Sequence, residues 1–104
     1  MEKNNTLTAA ERIHDALVNK WEVLDLSNLQ LTRLPPEITE LKRLKTLYLH
    51  NNLFTSLSPE IGALTNLEVL DASGNPITQL PQSIKKLTNL VFLNLSNNKL
   101  NKLP

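Results

Sequence analysis

Apolar residues recur along this chain in a rhythm that fits neither one helix nor one strand. Within 67–89, LEVLDASGNPITQLPQSIKKLTN, they fall at Leu67, Val69, Leu70, Ala72, Ile77, Leu80, Ile84 and Leu87. No helix puts that set on one face, and no single strand runs through the Pro-containing middle. The same rhythm occupies 21–43 and 44–66 and returns in 90–104, with starts 23 residues apart. A fixed period of about 20–50 residues marks a stacked repeat. The shared frame is L-x-x-L-x-L-x-x-N-x-L-x-x-L-P-x-x-I-x-x-L-x-x. Its fourth position holds Leu24, Leu47, Leu70 and Leu93, and its sixth Leu26, Leu49, Ala72 and Leu95. That local alternation predicts a short strand with Leu on one side only. One coil cannot bury that side alone; stacked coils make a parallel sheet along one wall with a continuous Leu core behind it. Ser58-Pro59 and Leu34-Pro35-Pro36 predict short helical turns on the opposite, convex side, where Pro suits the first turn because its missing N–H has no helical partner anyway.

Ahead of the repeats, the segment LTAAERIHDALVNK carries a different period. Thr8-Ala9-Ala10-Glu11 has the form of a capping box. Ala10, Ile13 and Leu17, with Ala9 and Ala16 beside them, predict one apolar face on a helix of about three turns. Residues 8–20 are expected to cap the first coil, with Trp21 wedged beneath. At the other end the frame stops at Leu103-Pro104, without counterparts of Ile84 and Leu87. Three explanations stay open: a piece of a longer solenoid, a short protein that tolerates a frayed end, or an edge that pairs with a second copy near Leu93, Leu95, Leu100 and Leu103.

The frame resembles leucine-rich repeats, specifically the intracellular 23-residue kind with an L-P-x-x-I tail known as the Ras-suppressor type. The resemblance covers 21–104, as three full repeats (21–43, 44–66, 67–89) and a partial one (90–104). It implies an α/β leucine-rich repeat solenoid: a short curved parallel sheet, an N-terminal cap helix at 8–20, convex helical turns and no C-terminal cap, with 1–7 a flexible N-terminus. It also implies a ladder of Asn52, Asn75 and Asn98, whose side-chain amides bond backbone groups left unpaired where each strand bends away. Leu29 departs from that pattern and breaks the ladder in the first repeat. Domains of this family commonly serve as adaptors or as partner-selecting arms of larger proteins.

Composition narrows the setting. The chain of 104 residues suits one small domain, and its net charge of +1 gives no general attraction to nucleic acid or to an anionic membrane. It has no Cys, which favours a reducing compartment. The start, MEKNNTLTAAER, has no apolar signal core, and no apolar run reaches the ~18 residues of a membrane span. A cytoplasmic location follows as the expectation. Asn4-Asn5-Thr6 and Asn94-Leu95-Ser96 match the glycosylation sequon and are taken as chance matches.

Chemistry is scarce. His14 and His50 are far apart in the frame with no Cys or carboxylate at metal-ligand spacing, so no metal and no cofactor are expected. Ser73, His50 and Asp71 occupy adjacent strands, but nothing supplies an oxyanion hole or a deep pocket, so the chain is read as no enzyme. Lys42-Arg43-Leu44-Lys45 and Lys85-Lys86 read as solvated surface.

What remains is the wall. Strand residues that do not point inward face the concave side and line up as rows about 4.8 Å apart. The third position gives Val23, Thr46, Val69 and Phe92, an apolar stripe facing water. The fifth gives Asp25, Tyr48, Asp71 and Asn94, an aromatic between two carboxylates. His50 follows at the seventh. Aromatic anchors in polar surroundings are what protein interfaces use. These residues predict a partner-binding face for a protein or peptide, with a basic group of the partner near Asp25 and Asp71 and an apolar group near Phe92 and Val69. Glu22, Lys45 and Glu68 alternate in charge across neighbouring strands and read as register support. The rival functions are a targeting arm of a larger signalling protein or enzyme, and self-assembly, including a homodimer, through the open C-terminal edge.

Overall fold

The computed structural model describes residues 7–104; of the segment expected to be a flexible N-terminus, all but Leu7 lies outside the described residues. One helix, α1 (Ala9–Asn19), precedes four three-residue strands: β1 (Val23–Asp25), β2 (Thr46–Tyr48), β3 (Val69–Asp71) and β4 (Phe92–Asn94). The strands form one parallel sheet in the order β1-β2-β3-β4. Their register sets Leu24, Leu47, Leu70 and Leu93 side by side as one column. A single-residue slip would turn that column out to water, so burial fixes the register.

The chain starts each strand with a bulge-like step. The amides of Lys45 and Thr46 both donate to Glu22 O, those of Glu68 and Val69 to Lys45 O, and those of Val91 and Phe92 to Glu68 O. Two successive residues therefore face outward before the alternation resumes, while Leu44 and Leu47, three apart, both point into the core. After each strand the eighth position turns the chain with a left-handed residue: Asn28, Asn51 and Asn97 at φ 57–58 and Gly74 at φ 67. Asn and Gly are the residues that tolerate this conformation most readily.

The convex side carries three one-turn 3₁₀ helices, Pro36–Glu40, Pro59–Ala63 and Gln82–Lys86. Each closes through the same bond, Ile38 N to Pro35 O, Ile61 N to Ser58 O and Ile84 N to Pro81 O, all at 3.1 Å. Between sheet and turns the core stacks Leu44, Leu47, Leu49, Ile61, Leu64, Leu67 and Leu70, all fully buried. Neighbouring coils also clip together at their ends: Asn66 Nδ2 donates to Lys42 O at 2.7 Å and Asn89 Nδ2 to Thr65 O at 2.9 Å.

At the N-terminal end Thr8 caps α1. Its Oγ1 accepts from Glu11 N at 3.1 Å while Glu11 Oε1 accepts from Thr8 N at 2.8 Å. The apolar face differs from the expected one. Ala9, Ile13 and Ala16 are buried, whereas Ala10 and Leu17 are exposed. The small Ala9 and Ala16 let the helix backbone approach the first coil closely, and this approach rotates the face by about one residue from the Ala10–Leu17 line. Trp21 is not wedged under the helix. It follows the left-handed cap residue Lys20, its amide donates to Ala16 O at 2.9 Å, and its side chain remains 43% exposed.

Candidate partner-binding face

The two outward rows of the sheet are set by backbone register. Val23, Thr46, Val69 and Phe92 stand opposite one another, as do Asp25, Tyr48, Asp71 and Asn94. Val23 and Phe92, at the two ends of the apolar row, are 53% and 51% exposed; Thr46 and Val69 between them are half-buried. Val91 beside Phe92 is the most exposed large apolar residue among those described. Exposed apolar surface therefore lies at both ends of the row and is larger at β4, where Val91 adjoins Phe92.

The fifth-position row has a structural duty that its spacing did not reveal. Asp25 Oδ1 accepts from Ser27 N at 2.8 Å and from Ser27 Oγ at 2.5 Å. Asp71 Oδ1 accepts from Ser73 N at 3.0 Å and Oγ at 2.7 Å. Asn94 Oδ1 accepts from Ser96 N at 3.0 Å and Oγ at 2.8 Å. Each Asx side chain thus braces the bend two residues on. The repeating D/N-x-S at 25–27, 71–73 and 94–96 was the available signal. Only the second coil differs, with Tyr48 and His50 in those places, their rings edge-to-face at a centroid distance of 5.9 Å.

Asp71 is the electrostatic centre of the wall. Partial burial pushes its carboxyl up, but the hydroxyl and amide of Ser73, the nearby His50 and Asn94 outweigh that and hold it below its ordinary value. His50 Nδ1 lies 3.8 Å from Asp71 Oδ2 and is buried without a hydrogen-bond partner. Asp71 thus sits between Ser73 and His50, so the Ser73 hydroxyl contacts the carboxylate and not the imidazole. Lys45 Nζ lies 3.9 Å from Glu22 Oε1, with both side chains about half exposed. Among the described residues, no group of three or more His, Cys, Asp or Glu side chains could hold a metal ion. No helix among them is long and apolar enough to cross a membrane.

The Asn ladder works backward along the chain. Asn52 Oδ1 accepts from Leu29 N and Leu31 N, both at 3.0 Å, and its Nδ2 donates to Leu26 O and Leu49 O at 2.9 Å. Asn75 does the same for Asn52 N, Phe54 N and Leu49 O, and Asn98 for Ile77 N and Ala72 O. Each Asn satisfies the coil before it. Leu29 supplies no such amide, and its coil draws on Asn52 instead, through Leu29 N, Leu31 N and Leu26 O.

An open groove of about 630 Å³ runs between the start of α1 and the outer edge of β1. Trp21, Val23 and Leu24 form its apolar side, and Arg12, Glu22 and Asp25 its polar side. Arg12 Nη1 donates to Asp25 O at 3.0 Å, so the sheet edge is partly covered there.

Residues 22–104 match the family model described as a leucine-rich repeat region. The chain belongs to the leucine-rich repeat family. Among solved structures, an LRR protein of Leptospira interrogans is 37% identical with a TM-score of 0.67, over 88% of this chain and 30% of that one. The TLR13 chain of the TLR13–ssRNA13 complex is similar at 26% identity and a TM-score of 0.78, over 96% of this chain and 15% of its own length. A chain of the LRIM1/APL1C complex, at 20% identity and a TM-score of 0.73 over 94% of this chain and 20% of that one, shows the fold alone. The chain thus spans less than a third of the length of each of these proteins. No curated protein sequence matches it. Leucine-rich repeat domains typically mediate protein–protein interaction and are generally non-catalytic.

Proposed function

We propose that the concave sheet face is the docking surface of a non-catalytic protein-interaction module of the intracellular, Ras-suppressor repeat type. The observation that carries this reading is Phe92: a half-exposed aromatic at the end of an apolar row, held on a rigid sheet beside the bare Val91. Aromatic residues are enriched in protein interfaces and among their hot spots. Tyr48, in the neighbouring row, supplies a second anchor. With a partner captured by the chain, Tyr48→Ala and Phe92→Ala are expected to weaken binding by about tenfold or more. Unchanged affinity in both variants, with the fold intact by circular dichroism, excludes the wall.

The absence of Cys from the sequence supports a cytoplasmic site of action; fractionation of cells producing the protein tests it. The short span relative to the matched proteins supports service as one arm of a larger protein. A second reading, self-association, draws on β4, the outermost strand, where Leu93 is exposed and Leu103 is 68% exposed. Light scattering across a concentration series decides it: a strict monomer removes this reading.

A further inference from the structure

Charge is unevenly divided between this wall and the rest of the surface. The outward positions of the four strands and the residues that lead into them carry Glu22, Asp25, Glu68 and Asp71 against Lys45 alone, a net charge of −3. The whole chain sums to +1, so everything off the wall sums to +4. The wall is also polar along its own length. Its carboxylates lie on the first and third coils, and its largest exposed apolar patch, Val91 with Phe92, lies on the fourth, Val23 standing alone on the first.

Each aspartate of the fifth-position row commits its Oδ1 to its own bend. Asp25 and Asp71 hold Ser27 and Ser73 through Oδ1. Their bends fix the side chains in place: Asp25 Oδ2 is presented in one orientation with little entropy left to lose, while Asp71 Oδ2 lies 3.8 Å from His50 Nδ1 on a side chain that keeps partial access to solvent. The two aspartates share a row two strands apart, about 9.6 Å at the usual strand spacing, which is close to the roughly 9.3 Å of one three-residue turn of a polyproline II segment. Phe92 lies one strand further in the same direction.

Building on the docking face proposed above, we infer that it takes a partner segment in the polyproline II conformation with two cationic side chains three residues apart, hence on one face, followed at once by a large apolar one, laid across the strands from β1 toward β4. The cations meet Asp25 and Asp71, and the apolar side chain meets Phe92 and Val91. Lys45 is drawn to Glu22 and not into the row, while Arg12, whose Nη1 donates to Asp25 O, offsets part of the charge at the β1 end. A segment of the opposite charge meets repulsion on the wall and finds its complement on the remaining surface.

The fold itself provides the control. Asn94 braces Ser96 with the same two bonds, at 3.0 and 2.8 Å, that Asp71 makes to Ser73 at 3.0 and 2.7 Å. Asp25→Asn and Asp71→Asn therefore keep the bend and remove only the charge. The full chain, labelled with ¹⁵N, is titrated with acetyl-Gly-Lys-Ala-Ala-Lys-Phe-Gly-amide and with the same peptide carrying Glu at both Lys positions. The Lys peptide is expected to shift the amides of Tyr48, Asp71 and Phe92 and to bind about tenfold tighter than the Glu peptide at low salt. Raising the salt to about 0.5 M should shrink that ratio severalfold, and the double Asn variant should bring the peptides within about threefold of each other. Equal or tighter binding of the Glu peptide at these amides overturns the stated partner chemistry while leaving the docking face standing. Shifts confined to the convex turns, or no shifts from either peptide, overturn both.

Discussion

Asn75 Oδ1 accepts the backbone N–H of Asn52, 23 residues earlier, at 3.1 Å, and both residues are buried. The same Asn75 side chain also accepts from Phe54 N and donates to Leu49 O and Ala72 O. One amide therefore satisfies buried groups on two coils. Asn75→Ala is expected to destabilise the fold by about 2–4 kcal/mol, because several buried groups lose their partner at once. Asn98→Ala, in a less buried coil, should cost about half as much. Urea denaturation of the two variants gives the comparison, and equal small losses would deny the ladder its role.

Ser58 occupies the place that Pro35 and Pro81 hold in the adjacent coils, with φ −72 against −59 and −70. Its hydroxyl is buried without a hydrogen-bond partner. Ser58→Pro fits the existing backbone, removes the orphaned hydroxyl and restricts the unfolded chain. Stability is expected to rise by about 1 kcal/mol, read as a higher urea midpoint. A lower midpoint would show that the second coil needs its N–H or its hydroxyl.

Gly62 marks a close approach between convex turns. A Cβ placed there would meet Ser83 Cβ at 2.7 Å and Ser83 O at 2.8 Å. Gly62→Ala should force the two turns apart at a cost of about 1–3 kcal/mol. Ser83→Gly in the same chain should recover only part of this, since the carbonyl stays. Thermal melts of the single and double variants test both statements.

Leu70 is fully buried in the third coil and Leu103 is mostly exposed in the fourth. Leu70→Ala is expected to cost about 2–5 kcal/mol and Leu103→Ala well under 1 kcal/mol. Similar losses at the two sites, measured by denaturant titration, would contradict layered stacking.

Asp71 has a folded-state carboxyl held below its ordinary value of 3.8. A group depressed on folding contributes stability above its unfolded pKa and loses that contribution as pH falls through its folded pKa. Asp71→Asn keeps the brace on Ser73 but has nothing to titrate. The wild type should therefore be slightly the more stable above about pH 5 and converge on the variant at about pH 2. Melting temperatures taken across that range check the sign, and the effect is small because the side chain is partly solvated.

Much of this molecule is legible in one dimension. The 23-residue period, the Leu24–Leu47–Leu70–Leu93 column, the two outward rows and the capping box at Thr8 follow from spacing, because a strand alternates and a repeat stacks like on like. The helix face was misplaced at Ala10 and Leu17 because a short amphipathic stretch with five apolar residues allows more than one rotation. Only the distance to the first coil selects Ala9, Ile13 and Ala16.

The sequence by itself determined the repeat, its register and which positions face outward, since these depend on local periodicity and on burying the same side of every coil. The tertiary structure decided what each outward polar group does. Asn52 serves the coil before it, Asp25 and Asp71 spend one oxygen on Ser27 and Ser73, and Trp21 stays half exposed beside a groove. These outcomes rest on hydrogen-bond distances of about 3 Å between and within bends, which spacing along the chain does not encode.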